Sequence, residues 1–430
     1  MVRYTRRRIL EALAATPLAA ACAATRTAAG GLTALAVPID AAQVPTGPYG
    51  AGTLPDRIRS RVVSGVNGIA MHVLDAGFET PGRPALLLVH GFPELGYSWR
   101  KVMLPLADAG YHVMAPDQRG YGRSGGTEVR FDDDLTPFST LNRVRDMLAL
   151  VHALGHRQVA CVVGHDFGSP VAAWCALTRP DVFTRLVMMS APFGGTARLP
   201  FDTANAPMAG APVAPAAPDM DAGLAALTPP RKHYQTYYTT RDANENMWKA
   251  PQGLHAFLRA YYHAKSADWP GNRPQPLAAN TPAEFAKLPR YYVMDRDLGM
   301  AEQVAADMPG AAHIAACQWL PERELAVYAG EYGRTGFQGG LQSYRVGRVP
   351  RLAAELTLFA GRTIDVPATF ISGASDWGVF QRAGSFEAMQ KTACTNFAGA
   401  HLIDGAGHWV QQEQPAKVAN LIAAFLGAVA

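Results

Sequence analysis

The chain has 430 residues, of which 49% are hydrophobic and 17% are charged, and this balance predicts a globular protein with one large core and an inserted module. The formal net charge of +4 is spread along the chain without Lys/Arg blocks beyond the first residues, so nothing in it indicates nucleic-acid binding. The five cysteines have no CxxC spacing, and we expect neither a disulfide framework nor a metal site.

The first residues differ in composition from the rest of the chain. TRRRIL, at residues 5–10, is a paired-arginine run, and the alanine-rich stretch ALAATPLAAACAAT follows it. This arrangement predicts a twin-arginine export signal and linker over residues 1–45, and hence a periplasmic or secreted protein. The stretch is too short for stable membrane insertion. The alternative is a disordered basic tail on a cytoplasmic protein.

Strand and helix patterns then alternate. VVSGVNGIAMHVLD predicts two strands around Asn67-Gly68, and ALLLVH is a continuous apolar run typical of a parallel strand buried on both faces. The alternation continues with helices at 97–110 and 140–155 and strands at 111–116, 158–164 and 185–190. Short connections between such elements predict an α/β fold, a mostly parallel sheet with helices on both faces, whose first part covers residues 55–193.

The alternation breaks after Ser190. Residues 206–230 are rich in Ala and Pro and predict an extended surface excursion, because proline removes backbone donors. The β/α pattern resumes only with VPATFISG, a helix near QRAGSFEAMQK, a strand near AHLIDG and a last helix. We therefore predict a mainly helical cap inserted at 194–348 and a second part of the core at 349–430.

The motif Gly164-His165-Asp166-Phe167-Gly168 lies between a predicted strand and a predicted helix. This is the context of a G-x-S-x-G nucleophile elbow, with aspartate in place of serine. Glycines flank such a corner because a side chain at either place would collide with the neighbouring strand and helix. A helix-capping aspartate would not require both glycines, so we predict that Asp166 is the nucleophile.

The remaining members of a triad follow in the chain order that α/β-hydrolases use. Asp376 comes after the strand ATFISG, and His408 stands in GAGHWVQQEQP before the final helix. The rival residues are less well placed: His401 falls inside a predicted strand, and Asp365 and Asp404 lack the loop position after a strand. We predict that Asp376 orients His408 and that His408 is the base.

A further loop, His90-Gly91-Phe92-Pro93-Glu94, directly follows the strand ALLLV. In this fold the loop supplies a backbone N–H to an oxyanion hole, and the residue after the nucleophile supplies another. The predicted donors are therefore Phe92 and Phe167. We expect His90, Gly91 and Pro93 to support the loop.

Five motifs together resemble the epoxide hydrolases of the α/β-hydrolase superfamily: VHGFPELGYSWR, DQRGYGRSGG, GHDFGS, ISGASDWGVF and GAGHWVQQEQP. The resemblance implies that Tyr234 in HYQTYY and Tyr344 in GFQGGLQSYR are lid tyrosines, and that Glu94 orients the water. It also implies a small apolar epoxide and water as substrates, and no cofactor. Two departures are the longer spacing, 68 residues from Asp166 to Tyr234 and 110 from there to Tyr344, and Phe167 at a place where tryptophan is common. The spacing indicates an enlarged cap.

An aspartate nucleophile fits this chemistry. A carboxylate is already ionised at neutral pH and can attack a saturated carbon, which yields an ester that water can hydrolyse. A dehalogenase with the same nucleophile is one alternative, but Phe167 offers no side-chain donor to a departing halide. A non-catalytic binding protein on the same fold is the other, although an intact triad and both tyrosines oppose it.

Overall fold

The computed structural model describes residues 49–199 and 219–428. The export signal predicted over residues 1–45 lies outside these ranges and stays a prediction, as do the boundaries chosen for the domains. Part of the Ala/Pro-rich stretch, residues 206–218, is also outside them. Within the described ranges, no helix has both the length and the apolar character that a membrane span requires.

A central eight-stranded sheet confirms the predicted α/β class. Its strands are β1 (Arg59–Val66), β2 (Ile69–Ala76), β3 (Ala85–Val89), β4 (His112–Pro116), β5 (Cys161–His165), β6 (Leu186–Met189), β9 (Ala368–Gly373) and β10 (Phe397–Ile403). The spatial order is β1-β2-β4-β3-β5-β6-β9-β10, antiparallel over the first three strands and parallel over the rest. The carboxyl ends of β3, β5 and β9 therefore meet at one edge.

The amino-acid pattern accounts for the layout of this sheet. Every residue of β3, β5 and β9 is buried, as expected of parallel strands covered by helices on both faces. The β1–β2 hairpin turns at Asn67 and Gly68, whose φ values of 47° and 83° suit the two residue types that tolerate the left-handed region best. This confirms the strand pair predicted around Asn67-Gly68.

Three helices complete the first part of the core. They are α1 (Arg100–Asp108), α2 (Thr140–Ala153) and α3 (Gly168–Thr178). Helix α2 begins where predicted, because the Ser139 hydroxyl accepts a hydrogen bond from the backbone N–H of Asn142. Helix α3 starts two residues after Asp166, so its first turn lies against this aspartate.

A mainly helical region separates β6 from β9. Its elements are α4 (Met220–Ala225), β7 (Arg231–His233), α5 (Tyr234–Tyr238), α6 (Asp242–Trp248), α7 (Leu254–Lys265), α8 (Pro282–Phe285), β8 (Val293–Asp295), α9 (Met300–Ala305), α10 (Ala311–Ala316), α11 (Glu322–Thr335), α12 (Gln338–Val346) and α13 (Pro350–Ala354). The antiparallel pair β7–β8 was not expected. The extended conformation predicted near residue 220 is also wrong, because the Asp219 carboxylate accepts the Ala222 N–H and caps a helix there.

The core then resumes. The last helices are α14 (Ser385–Ala388), which continues into a π-helical turn (Met389–Ala393), α15 (Val410–Glu413) and α16 (Pro415–Ala428). His401 lies in β10, as its pattern predicted. All four cysteines in the described ranges have free thiols.

Candidate active site

Asp166 stands on a tight corner between β5 and α3. Its φ of 50° is in the left-handed region, which non-glycine residues seldom adopt. A Cβ on Gly164 would lie 2.1 Å from the carbonyl oxygen of Gly168, and a Cβ on Gly168 would lie 2.1 Å from that of Val89. Both glycines are therefore required by contact between backbones, which is the geometry of a nucleophile elbow.

Asp376 and His408 come together at the same edge of the sheet. Asp376 follows β9, and its Oδ1 lies 3.0 Å from His408 Nδ1 and accepts the Gly378 N–H at 2.7 Å. Its Oδ2 accepts hydrogen bonds from the hydroxyls of Ser190 and Ser372. Burial favours the protonated carboxyl, but His408 and these donors together hold the pKa of Asp376 below its ordinary value. The buried Asp376 is thus a carboxylate that can accept a hydrogen bond from His408 Nδ1.

The other nitrogen of the imidazole faces Asp166. His408 Nε2 lies 3.4 Å from Asp166 Oδ2, and among the described residues it has no hydrogen-bond partner of good geometry. Because Nδ1 is held by Asp376, Nε2 is the nitrogen directed at Asp166. This nitrogen can accept a proton from a water beside the carboxylate.

The loop after β3 holds the other oxygen of Asp166. The Phe92 N–H donates to Asp166 Oδ1 at 2.9 Å. His90 supports the loop through an Nδ1 contact of 2.8 Å to the carbonyl of Gly91, and the Tyr262 hydroxyl donates to the Pro93 carbonyl at 2.9 Å. The predicted donor at Phe92 is therefore in place.

The second predicted donor, Phe167, is the N-cap residue of α3. In this structure its backbone N–H makes no hydrogen bond to Asp166, whereas its ring packs edge to face on Tyr344 with centroids 4.4 Å apart. The two carboxylate oxygens thus differ in environment: Oδ1 is hydrogen-bonded by Phe92, and Oδ2 is open toward His408.

Charges near Asp166 keep it ionised. Burial favours the protonated form, but His408 and the ammonium of Lys265 together hold the pKa of the Asp166 carboxyl well below its usual range. Lys265 is the last residue of α7 and is fully buried, with Nζ 4.9 to 5.4 Å from the ring centroids of Tyr292, Tyr261 and Trp409. Its carbonyl also accepts the His408 N–H at 2.9 Å. Sequence reasoning missed this cation.

Glu94 lies below the catalytic residues and contacts none of them directly. Its Oε2 is 2.7 Å from His165 Nδ1, and its carboxylate also accepts hydrogen bonds from the side chains of Gln411 and Gln412. Burial opposes the charged imidazole, but Glu94 more than offsets it, so the pKa of His165 is raised. His165 Nε2 in turn lies 2.7 Å from the carbonyl oxygen of His408. Glu94 therefore fixes the His408 loop through His165.

The two tyrosines predicted to act from the lid lie side by side in the cap. Tyr234 begins α5 and Tyr344 lies in α12, with ring centroids 6.1 Å apart. The Tyr234 hydroxyl contacts the amides of Gln381 and Gln235 at 3.1 and 3.2 Å. Burial and the charge of Asp166 raise the pKa of both phenols well above the ordinary value. Both hydroxyls therefore keep their protons near a carboxylate.

A cavity of about 510 Å³ opens beside these groups. Asp166, Phe167, Tyr234 and Gly378 contribute to its wall. Its volume is in the range of small-molecule sites in proteins. Within the two described ranges, no group of His, Cys, Asp and Glu side chains is arranged to hold a metal ion.

The structure brings together Asp166, Asp376 and His408, as predicted. The rivals His401, Asp365 and Asp404 are exposed and make no contact with this group. Ser190 was missed, although it lies within 2.9 Å of His408 Nδ1 and adopts a φ of 68°. Its only signal in the sequence is its position at the end of β6, at the same sheet edge as Asp166.

Comparisons with known proteins identify the family of the chain. A model of the α/β-hydrolase fold family matches residues 84–415. Epoxide hydrolase B of Mycobacterium tuberculosis is 31% identical over 350 residues, covering 80% of this chain and 91% of the relative. Epoxide hydrolase A of the same organism is 31% identical over 364 residues, covering 84% and 95%. The solved structure of an epoxide hydrolase from an endophytic Streptomyces matches with a TM-score of 0.67 at 30% identity, covering 87% of this chain and 97% of that one.

Proposed function

The chain belongs to the epoxide hydrolases of the α/β-hydrolase superfamily, and from this premise we propose that it converts an epoxide and water to a vicinal diol through an ester on Asp166. One observation carries the proposal. Asp166 stands on a strained corner, with Oδ1 bound by the Phe92 N–H and Oδ2 open beside His408. A carboxylate held in this way can attack carbon with one oxygen while the other stays in place.

In the first step Asp166 Oδ2 attacks a ring carbon of the epoxide, and the bond from that carbon to the ring oxygen breaks. The electron pair of the broken bond remains on oxygen as an alkoxide. Tyr234 and Tyr344 donate hydrogen bonds to this oxygen, and one of them gives it a proton. The raised pKa of both phenols favours this role, because they remain protonated until a stronger base forms.

In the second step a water attacks Cγ of the ester. His408 Nε2 takes the proton of this water, and Asp376 stabilises the imidazolium that results. The oxyanion develops on Oδ1, where the Phe92 N–H already lies. Collapse of this intermediate expels the diol oxygen, which accepts the proton from His408, and leaves Asp166 as a carboxylic acid. The proton that this acid releases balances the one that the tyrosine gave up in the first step, so that the carboxylate and the neutral phenol are both restored. We assign Glu94 an indirect part, because it holds the His408 loop through His165.

The tyrosines separate this reaction from halide displacement, because a halide leaves without a proton. Pre-steady-state alkylation of Asp166 by styrene oxide is measured for Tyr234→Phe, Tyr344→Phe and the double variant, with diol formation followed in parallel. We expect each single variant to alkylate more slowly. The double variant should alkylate about 10²- to 10⁴-fold more slowly than the unchanged chain, because general-acid catalysis typically contributes a factor of this size. Hydrolysis of the ester should change little.

The matched control is Tyr237→Phe, which removes a buried hydroxyl from the same helix as Tyr234. It should alkylate at the normal rate. Thermal melting checks that every variant is folded. If the double variant alkylates as fast as the unchanged chain, the tyrosines are packing residues and the proposed first step is wrong.

A further inference from the structure

A second cavity of about 450 Å³ adjoins the catalytic one. Phe167, Pro170 and Gln235 line both, so the two spaces are neighbours on either side of the residue next to the nucleophile. The wall of this side cavity is largely apolar: Phe138, Val171, Trp174, Val346, Leu352 and Leu356. The side cavity therefore lies next to the space beside Asp166, with a largely apolar wall.

The charges on the side cavity all have one sign. Arg143, Arg348 and Arg382 line it, and no aspartate or glutamate of the described ranges does. Arg348 and Arg382 are exposed, whereas only 4% of Arg143 is accessible. A buried cation without a bonded anion is costly, and a bound anion would offset the cost.

Arg143 hydrogen-bonds hydroxyl groups. Its Nη2 donates to the Ser343 hydroxyl, and the Tyr121 hydroxyl is its other side-chain hydrogen-bonding neighbour. The nearest acid on the same helix, Asp146, is already bound by two nitrogens of Arg119 at 2.6 and 2.8 Å. Burial lowers the pKa of the guanidinium of Arg143. Among the described residues, no carboxylate is therefore hydrogen-bonded to Arg143.

We propose that Arg143 binds the carboxylate of the substrate, an epoxide whose apolar body fills the side cavity while its ring lies at Asp166. This proposal rests on the proposed function for the identity of the reacting group. The anion site itself is argued only from Arg143 and the side cavity. Guanidinium groups favour carboxylates because several N–H donors converge on two oxygens. The exposed Arg348 and Arg382 add a positive field at the same cavity.

Binding of an unreactive pair tests the anion site without the reaction. The probes are 4-phenylbutyrate and its uncharged counterpart 4-phenylbutanol, measured by calorimetry with the full chain. We expect the unchanged chain to bind the carboxylate about tenfold or more tightly than the alcohol. Arg143→Gln should lose about 10- to 100-fold of carboxylate affinity, the usual worth of a charge-assisted hydrogen bond, and keep its affinity for the alcohol.

If Arg143→Gln does not fold, a second variant tests the same proposal. Thr140 lines the cavity one helical turn before Arg143 and is half-buried at the first residue of α2, where an acidic side chain suits the helix dipole. Thr140→Asp therefore supplies an internal carboxylate, which should abolish the preference for phenylbutyrate. The control Arg241→Gln removes an exposed arginine outside the cavity and should change neither affinity.

The outcomes are decisive. Equal affinity of the unchanged chain for the two probes overturns the proposal, and so does a carboxylate preference that survives in a folded Arg143→Gln or in Thr140→Asp. Neutral styrene oxide separates this failure from that of the proposed function, because a chain that makes its diol but does not discriminate the probes is an epoxide hydrolase without the anion site. A chain that discriminates them but opens no epoxide retains the anion site alone.

Discussion

Replacing Gly91 by alanine should displace the nucleophile. A Cβ at this position would lie 2.4 Å from Asp166 Cβ and 2.5 Å from its Oδ1. Non-bonded carbon atoms prefer about 3.5 to 4.0 Å, so the two groups must separate by roughly 1 Å. A misplacement of about 1 Å can cost on the order of 10² in rate, and here it also strains the Phe92 N–H bond to Oδ1. We therefore predict alkylation at least about 10²-fold slower in Gly91→Ala.

The assay is single-turnover alkylation by styrene oxide, followed by intact-protein mass spectrometry on rapidly quenched samples. Overpacking should also cost about 1 to 3 kcal/mol of stability, so thermal melting defines a temperature at which the variant is folded. Gly330→Ala is the matched control, because a Cβ on this glycine of α11 meets nothing within 4 Å. Alkylation of a folded Gly91→Ala variant at the rate of the unchanged chain would refute the steric reasoning.

Two further changes test the charges. Lys265→Met removes the ammonium that favours ionised Asp166, so the acid limb of the pH profile for alkylation should move to higher pH. The control Lys249→Met changes an exposed lysine and should leave the acid limb in place. An acid limb that does not move in Lys265→Met contradicts the electrostatic role of this lysine. Asp75, in β2, is buried between Arg59 and Arg61, and its pKa is lowered to about 2 by hydrogen bonds from His112 and Arg59, which outweigh burial. A depressed pKa gives stability that is present above the unfolded value, about 4, and lost as pH falls toward 2. When the pH is lowered from 6 to 3, the free energy of unfolding, measured with urea, should therefore fall by about 1 kcal/mol more in the unchanged chain than in Asp75→Asn. Equal decreases in the two proteins would exclude the buried Asp75 carboxylate as the cause.

The three residues that the structure brings together could be picked out from the sequence because each is marked by its local context. Asp166 lies between two glycines at the end of an apolar strand, and Asp376 and His408 occupy loops after later strands in the expected order. Parallel strands bring such loops to one edge of the sheet, so the pattern along the chain translates directly into proximity.

The interactions that escaped prediction depend on contacts between distant segments. Lys265 ends an ordinary cap helix, and only the folded cap places its ammonium among three aromatic rings near Asp166. Glu94 and His165 are 71 residues apart, and nothing in either segment indicates that they pair. In the sequence, Arg143 is one polar residue of an amphipathic helix, and its contact with Ser343 of the cap is visible only in the folded structure. Interactions of this kind are set by packing and leave no periodic signal in the sequence.

The ester on Asp166 is tested most directly by one turnover in water labelled with ¹⁸O, with the enzyme in excess over styrene oxide. If water attacks Cγ of the ester, the new diol oxygen comes from the unlabelled carboxylate, and the label enters Asp166. We therefore predict an unlabelled diol in the first turnover and ¹⁸O in the peptide that contains Asp166. A labelled diol together with an unlabelled Asp166 would contradict the covalent route and require direct attack of water on the epoxide.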